Sequence, residues 1–331
     1  MTAANEHLAK YEEVLKDGVP TAAFSRLMIG NKHIFKDKTV LNVACGTGLL
    51  CLFAAKAGAK HVVGIDKIGF MAQARDTVAA NGFKDVITLV EGRIGDTSLP
   101  FSEFDIIISD WMGKCLFYES RLEEVILARD KYLKKDGLIY PESVSLYMAA
   151  IEDSDFKEEK FGFWDNIQGL DYSAFKPVAL RDPLVDTCDI RAVVTQPYGF
   201  KQFKLSDVKK EDLIFDETFA LTALRDDFIH AFIVWFDVSV ASTHSPVHFS
   251  TGPHTKSTRW GQTIFYTRET PAIAKDQVVT GHFVVQPNTE NAHDLDIRIS
   301  YKLEKKSGSE IDGDEATSGE SASESLSYKM Y

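Results

Sequence analysis

The sequence predicts an α/β protein in which a mostly parallel, doubly wound sheet is followed by an antiparallel, barrel-like β domain. From Lys38 to about Tyr140, short apolar runs rich in β-formers alternate with helix-forming runs, the pattern that builds a parallel sheet covered by helices. From Ser143 onward strand-like runs dominate: SVSLYMAAI, ALTALR, FIHAFIVWFDVSV, QTIFYT, QVVTGHFVV and LDIRISYKL. Their spacing predicts antiparallel pairing. At 331 residues the chain has enough length for two cores. The expected division is 1–142 and 143–331.

The stretch KTVLNVACGTGLLCLFAAKAGAKHVVGID, Lys38 to Asp66, organises the first half. Thr39 to Ala44 reads as a strand, Cys45-Gly46-Thr47-Gly48 as a tight turn, and Leu49 to Ala57 as a helix ended by Gly58. His61 to Ile65 is a second strand closed by Asp66. A helix opened by glycines presents unpaired backbone N–H groups to a ligand and lets it approach closely. An acid at the tip of the second strand is placed for ribose hydroxyls. The third glycine of a dinucleotide fingerprint is missing, which disfavours NAD. The alternative is the adenosylmethionine version of the unit, in which an acid stands four residues before the first loop glycine; here that position is Asn42.

Around this unit the remaining elements follow in order. Tyr11 to Lys16 reads as a short helix before a turn at Asp17-Gly18-Val19-Pro20, and Thr21 to Gly30 as another helix. Phe70 to Ala80 is a helix ended by Asn81-Gly82, Val86 to Val90 a third strand, and Phe104 to Ser109 a fourth, buried one. Glu91 to Phe101 is loop. Ser120 to Leu133 is a helix with acids early and cations late, matching its dipole, and Asp136-Gly137 is expected to end it. Phe156 to Tyr172, FKEEKFGFWDNIQGLDY, fits neither domain. Clustered aromatics among charges are an interface composition, which predicts a projecting arm over about 155–181 with Phe156, Phe161, Phe163, Trp164 and Tyr172 as contacts; the alternative is an insertion that packs into the core. The serine-rich acidic run at about 305–325 is expected to be a disordered loop, with LSYKMY as a last strand.

Composition removes several function classes. A net charge of −12 argues against a general nucleic-acid or anionic-membrane surface, and is compatible with an arginine-rich partner. Cysteines 45, 51, 115 and 188 show neither metal-ligand spacing nor disulfide-framework density, so a reducing, cytoplasmic setting is expected. No apolar run approaches membrane-spanning length. His244, His248 and His254 do not form a metal set.

Two further stretches carry chemistry. Asp110-Trp111-Met112-Gly113-Lys114-Cys115-Leu116-Phe117-Tyr118-Glu119 follows the fourth strand, where parallel sheets bind ligands. Its two carboxylates, nine residues apart, suit a guanidinium clamp through charge-assisted bonds. Pro253 to Trp260, PHTKSTRW, is a polar turn between two strands of the second domain.

Together these runs resemble the protein arginine methyltransferases over nearly the whole length. The matching segments are EEVLKD, HIFKDK, CGTGLLCLFAAKAGAK, IISDWMGKCLFYESRLEEVILARDKYL, DGLIYP, DPLVD, STGPHTKSTRWGQTIFYT and DLDIRI. The chain is most similar to the type I branch, which makes asymmetric dimethylarginine. The resemblance implies a Rossmann-like methyltransferase domain, a β-barrel and a dimerisation arm inserted in the barrel.

Against the family pattern the chain departs at its site. Met1-Thr2 and Asn5 stand where a Tyr-Phe-x-x-Tyr helix is expected, and Tyr11 where the family has histidine. Pro20 replaces an arginine that grips the cofactor carboxylate, Asn42 the motif acid, Ala44 a glycine, and Gly95 a glutamate that contacts adenine. Cys45, Gly46, Gly48 and Asp66 keep the rest of the cofactor site. In the catalytic loop Asp110 stands for a glutamate, Glu119 is retained, and Arg121 replaces a methionine. The family's Thr-His-Trp turn is Thr258-Arg259-Trp260, putting a permanent cation where the substrate guanidinium docks and within reach of Glu119 or Asp17.

Taken together, the departures lead to the expectation of an inactive member of the prozyme kind, with vestigial catalytic residues (Asp110, Glu119, Arg259, Trp260) and no bound S-adenosylmethionine. Such a subunit joins an active type I paralogue in a heterodimer or heterotetramer and reaches arginine-rich substrates through it. The alternative is a divergent active methyltransferase using Asp66, Asp110 and Glu119. A third reading is a scaffold that binds arginine-rich proteins without activating an enzyme.

Overall fold

The structure is a computed structural model that describes residues 3–288, 294–303 and 323–331. Its first half is a five-stranded parallel sheet, β1 Thr39–Val43, β2 His61–Asp66, β3 Ile87–Glu91, β4 Phe104–Ile108 and β5 Leu133–Tyr140, in the order β3-β2-β1-β4-β5. Val40, Leu41, Val43, Val62, Val63, Ile106, Ile107 and Ile108 are buried, as expected for parallel strands covered on both faces. The order reverses between β1 and β4, and the ends of these two strands open the crevice where such sheets bind ligands.

The helices are α1 Ala3–Lys16, α2 Gly18–Ile29, α3 Lys32–Phe35, α4 Leu49–Lys56, α5 Met71–Ala80 and α6 Leu122–Tyr132. The expected turn at Asp17-Gly18-Val19-Pro20 is instead the start of α2. The Asp17 side chain caps it by accepting from the backbone N–H of Val19 at 3.3 Å, and Pro20 is tolerated because the first turn needs no intrahelical donor. A second difference lies at Asp136-Gly137. These residues do not close a helix but lie inside β5, which pairs with β4 through Ile139 and Tyr140.

The antiparallel half contains two large sheets. One joins β6 Ser143–Ile151, β7 Leu184–Asp186, β8 Tyr198–Lys204, β11 Ala231–Val240, β12 Val247–Ser250 and β13 Gln262–Tyr266; β9 Phe215–Thr222, β15 Val278–Pro287, β16 Leu295–Leu303 and β17 Ser323–Met330 form the other. The short strands β10 Asp227–Phe228 and β14 Ala272–Ile273 pair separately. Aromatic rings pack between the sheets: Phe200 and Phe265 meet Phe283 at 5.0 and 5.9 Å, and Phe219 meets Phe232 at 5.8 Å. Alternating inward residues on both sheets build this shared core. The expected last strand is present as β17, paired along β16. It begins at Ser323, so Ser323 to Ser325 belong to a strand, while the rest of the acidic run lies outside the described residues.

The aromatic segment is a chain of short turns, including α7 Ser154–Lys157 and α8 Lys176–Ala179. Phe156 stacks on Tyr266 at 5.8 Å and Phe161 meets the same ring edge-on at 5.4 Å, so both root the segment on the β domain. Trp164 stacks on Phe175 at 5.4 Å. Phe163 and Tyr172 are exposed, as are Leu170, Phe175 and Val178. No helix among the described residues is long and apolar enough to cross a membrane.

Candidate functional site

Backbone geometry builds the first corner of the site. After β1 the chain turns through Ala44 at φ 53°, Gly46 at φ 52° and Gly48 at φ 85°. These left-handed values suit glycine and strain alanine. The turn is fastened by Cys45 N–H donating to the Ile65 carbonyl at 3.1 Å and Gly48 N–H to the Cys45 carbonyl at 2.9 Å. Asp66, at the end of β2, accepts from Gly46 N–H at 2.8 Å and Lys67 N–H at 2.7 Å. A Cβ on Gly46 would lie 3.0 Å from the Tyr11 ring, so α1 covers the turn closely. Burial, with Asp66 beside it, pushes the Tyr11 hydroxyl up to about 12. Asn42 is buried on β1; its amide donates to the Cys51 sulfur at 3.4 Å, and its Oδ1 has no partner.

Charge builds the second corner. Asp110 follows β4, and its Oδ2 accepts from Arg259 Nη2 at 2.6 Å. Arg259 Nη1 lies 3.6 Å from Asp17 Oδ2, and the same oxygen accepts from the Arg259 backbone N–H at 2.9 Å. The guanidinium also lies 3.7 Å over the Trp260 ring centre, a cation–π contact. Trp260 donates its indole N–H to the Met112 carbonyl at 2.9 Å, which ties the polar turn to the acid loop. Burial raises the Asp110 carboxyl above its ordinary value; Arg259 opposes the rise and Asp17 adds to it. Glu119 points to the surface and pairs with Lys10 at 2.7 Å.

Asp110, Glu119, Arg259 and Trp260 all line one cavity of about 360 Å³. Asn42, Cys45, Gly46 and Asp66 line a second, of about 170 Å³, which Asp110 and Arg259 also border. The expected pairing of Arg259 with Asp17 is present, and the pairing with Glu119 is not: Asp110 takes the guanidinium and Lys10 takes Glu119. Lys10 went unread because 109 residues separate it from Glu119. Arg121 joins the corners, lying 3.8 Å from Asp66 and pairing with Glu124 at 2.5 Å. Pro20 is buried in α2, and Gly95 turns at φ 94°, where a Cβ would lie 2.8 Å from the Leu127 side chain; neither borders the two cavities. His254 is exposed, and no three metal-ligating side chains converge among the described residues.

Comparison with known proteins places this arrangement. A methyltransferase-domain family model matches residues 40–137, and the arginine methyltransferase oligomerization subdomain matches 142–307. Protein arginine N-methyltransferase 1 of Schizosaccharomyces pombe is 43% identical, the match covering 98% of this chain and 93% of that protein. The chain belongs to the protein arginine methyltransferase family. A second member, protein arginine N-methyltransferase 1 of Saccharomyces cerevisiae, is 45% identical over 93% of this chain and 88% of its own. Among solved structures, a chain of the Trypanosoma brucei PRMT1 enzyme–prozyme heterotetrameric complex with AdoHcy superposes with a TM-score of 0.90. It is 35% identical and covers 97% of this chain and 98% of that one.

These findings correct two expectations. The inactive prozyme reading is overturned by relatives named as arginine N-methyltransferases that match 90–98% of this chain. The expectation of no S-adenosylmethionine falls with it, because the methyltransferase-domain match spans the glycine turn and Asp66. The physical reason is one of magnitude. Losing a charged partner such as the arginine replaced by Pro20 costs about 1.5–3 kcal/mol, against about 8 kcal/mol for micromolar binding. A single such loss therefore weakens binding without abolishing it, while the glycine turn and Asp66 remain in place.

Proposed function

We propose that this chain is a divergent, active protein arginine N-methyltransferase that makes asymmetric dimethylarginine on arginine-rich proteins with S-adenosylmethionine. The observation that carries this reading is identity of 43–45% to proteins named arginine N-methyltransferase 1, over 93–98% of the chain. The paired carboxylates Asp110 and Glu119 on one cavity support it.

The residues present fit the cofactor. The left-handed turn Cys45 to Gly48 is a cradle that a Cβ at Gly46 would fill, Asp66 ends β2, and the unpartnered Oδ1 of Asn42 offers a buried acceptor. When bound, the cofactor supplies an electrophilic methyl group. Asp66 would take ribose hydroxyls and the turn would take the amino-acid end. Asp110 and Glu119 clamp the substrate guanidinium, hold its reacting nitrogen in place and localise its charge on the other nitrogens. Asp110, whose carboxyl burial raises above its ordinary value, is also the group suited to receive the proton released from that nitrogen.

We read 1–142 as the catalytic domain and 143–331 as the β domain with an arm at about 155–181. Assembly with a second methyltransferase subunit uses the arm's exposed Phe163 and Tyr172, supported by Trp164, while Phe156 and Phe161 hold its root. Four buried free cysteines suit a cytoplasmic protein. The test is methyl transfer to a glycine–arginine-rich peptide by the purified chain, with products resolved as methylarginine isomers. Asymmetric dimethylarginine is expected; no labelled product, or symmetric product alone, overturns the reading.

A further inference from the structure

We infer that Arg259 is a built-in competitor for the substrate guanidinium, occupying the guanidinium position on Asp110 so that an arginine substrate binds only when Arg259 swings aside. This rests on the reading of Asp110 as the guanidinium-binding carboxylate. A guanidinium site needs a carboxylate and a flat apolar face, and Arg259 already has both: Asp110 Oδ2 at 2.6 Å and the Trp260 ring at 3.7 Å. Its side chain is only 10% exposed, so it belongs to the cavity and not to the surface.

The pair stops short of a bidentate clamp. One N–H···O bond is formed, while Asp110 Oδ1 and Arg259 Nη1 are both buried without a hydrogen bond. A second guanidinium that offers two parallel N–H groups satisfies Asp110 better than Arg259 does. Displacement leaves Arg259 a partner, because Asp17 Oδ2 is 3.6 Å from Nη1 and already holds the Arg259 backbone N–H at 2.9 Å. The backbone stays anchored and the exchange is a side-chain rotation. Lys10 keeps Glu119 engaged at 2.7 Å, which leaves Asp110 as the carboxylate that Arg259 guards.

The test is fluorescence anisotropy of a fluorescein-labelled glycine–arginine-rich peptide on the full chain, comparing wild type, Arg259→Gln and Arg259→Lys. Arg259→Gln is expected to bind at least about tenfold tighter, and Asp110→Asn in that background to remove the gain. Unchanged or weaker binding by a normally melting Arg259→Gln overturns the inference and makes Arg259 a support of the site. If that variant melts early, Arg259→Lys carries the test: about threefold tighter binding upholds the inference, and wild-type affinity overturns it. Methyl transfer is read separately. An inactive wild type whose Arg259→Gln variant binds more tightly sinks the enzyme reading and keeps the competitor; an active wild type with unchanged binding does the reverse.

Discussion

The two corners of the site are held by different forces. At the glycine turn, Gly46 and Lys67 N–H groups on Asp66, with Cys45 N–H on Ile65, fix the shape through backbone geometry. At the acid loop, Asp110, Arg259 and Asp17 fix it through buried charge. A backbone-built corner absorbs changes such as Asn42 and Ala44, since the donors remain whatever side chain stands beside them. A charge-built corner depends on every member, because an unpaired charge left out of water is costly.

The sharpest way to break this contrast is Asp110→Ala. It leaves Arg259 with only the longer approach to Asp17, so unfolding stability is expected to fall by roughly 3 kcal/mol and methyl transfer by at least about 10²-fold. Urea melts and the peptide assay read the two effects. Asp66→Asn is the matching change at the other corner. One backbone N–H loses its acceptor, for a cost of about 1–2 kcal/mol and roughly tenfold weaker S-adenosylmethionine binding by calorimetry. Equal stability losses for the two variants would show that charge and backbone do not divide the site as described.

Much of this was legible in the sequence, for physical reasons that also mark where legibility stops. The parallel half announced itself because buried strands such as β4, with Ile106, Ile107 and Ile108 in a row, are largely apolar, and the turn because left-handed positions favour glycine. Pro20 misled, since proline reads as a turn signal while the first turn of a helix accepts it. Gly137 misled in the same way, sitting in β5 where pairing with β4 overrides a local breaker. Phe156 and Phe161 carry the same composition as Phe163, and only Tyr266, about a hundred residues away in sequence, decides which of them face inward. The inactive reading failed because the departures, taken together, were read as loss of the site, whereas relatives matching nearly the whole chain are named arginine N-methyltransferase 1.

The pH dependence sharpens the charged corner further. Burial raises the Asp110 carboxyl, so the folded chain protonates it more readily than the unfolded chain does. The sign follows: Asp110 costs the fold nothing below the ordinary carboxylate value and subtracts stability as the pH rises through its raised folded value. Its charged form is the one that clamps guanidinium, so the acid limb of kcat/KM is expected above the ordinary carboxylate range, with activity falling as the pH falls. Arg259 opposes the rise, and Arg259→Gln is expected to move this limb to still higher pH. A limb in the ordinary carboxylate range, unmoved by Arg259→Gln, would show that Asp110 does not set it.

The smallest expected effect tests the backbone-built corner alone. Ala44 holds φ 53° immediately before the turn, a region that costs an L-residue about 1–2 kcal/mol. Ala44→Gly removes that strain but gives the unfolded chain more freedom, worth about 0.4–1 kcal/mol in the opposite direction. The net expectation is a gain of about 0.5 kcal/mol, a rise of about 1 °C in the melting temperature. S-adenosylmethionine binding should be unchanged, because the N–H groups of Cys45, Gly46 and Gly48 keep their partners. A loss of stability would mean that the Ala44 methyl is packed well enough to outweigh its strained backbone, and that side chains contribute to this corner more than its hydrogen bonds suggest.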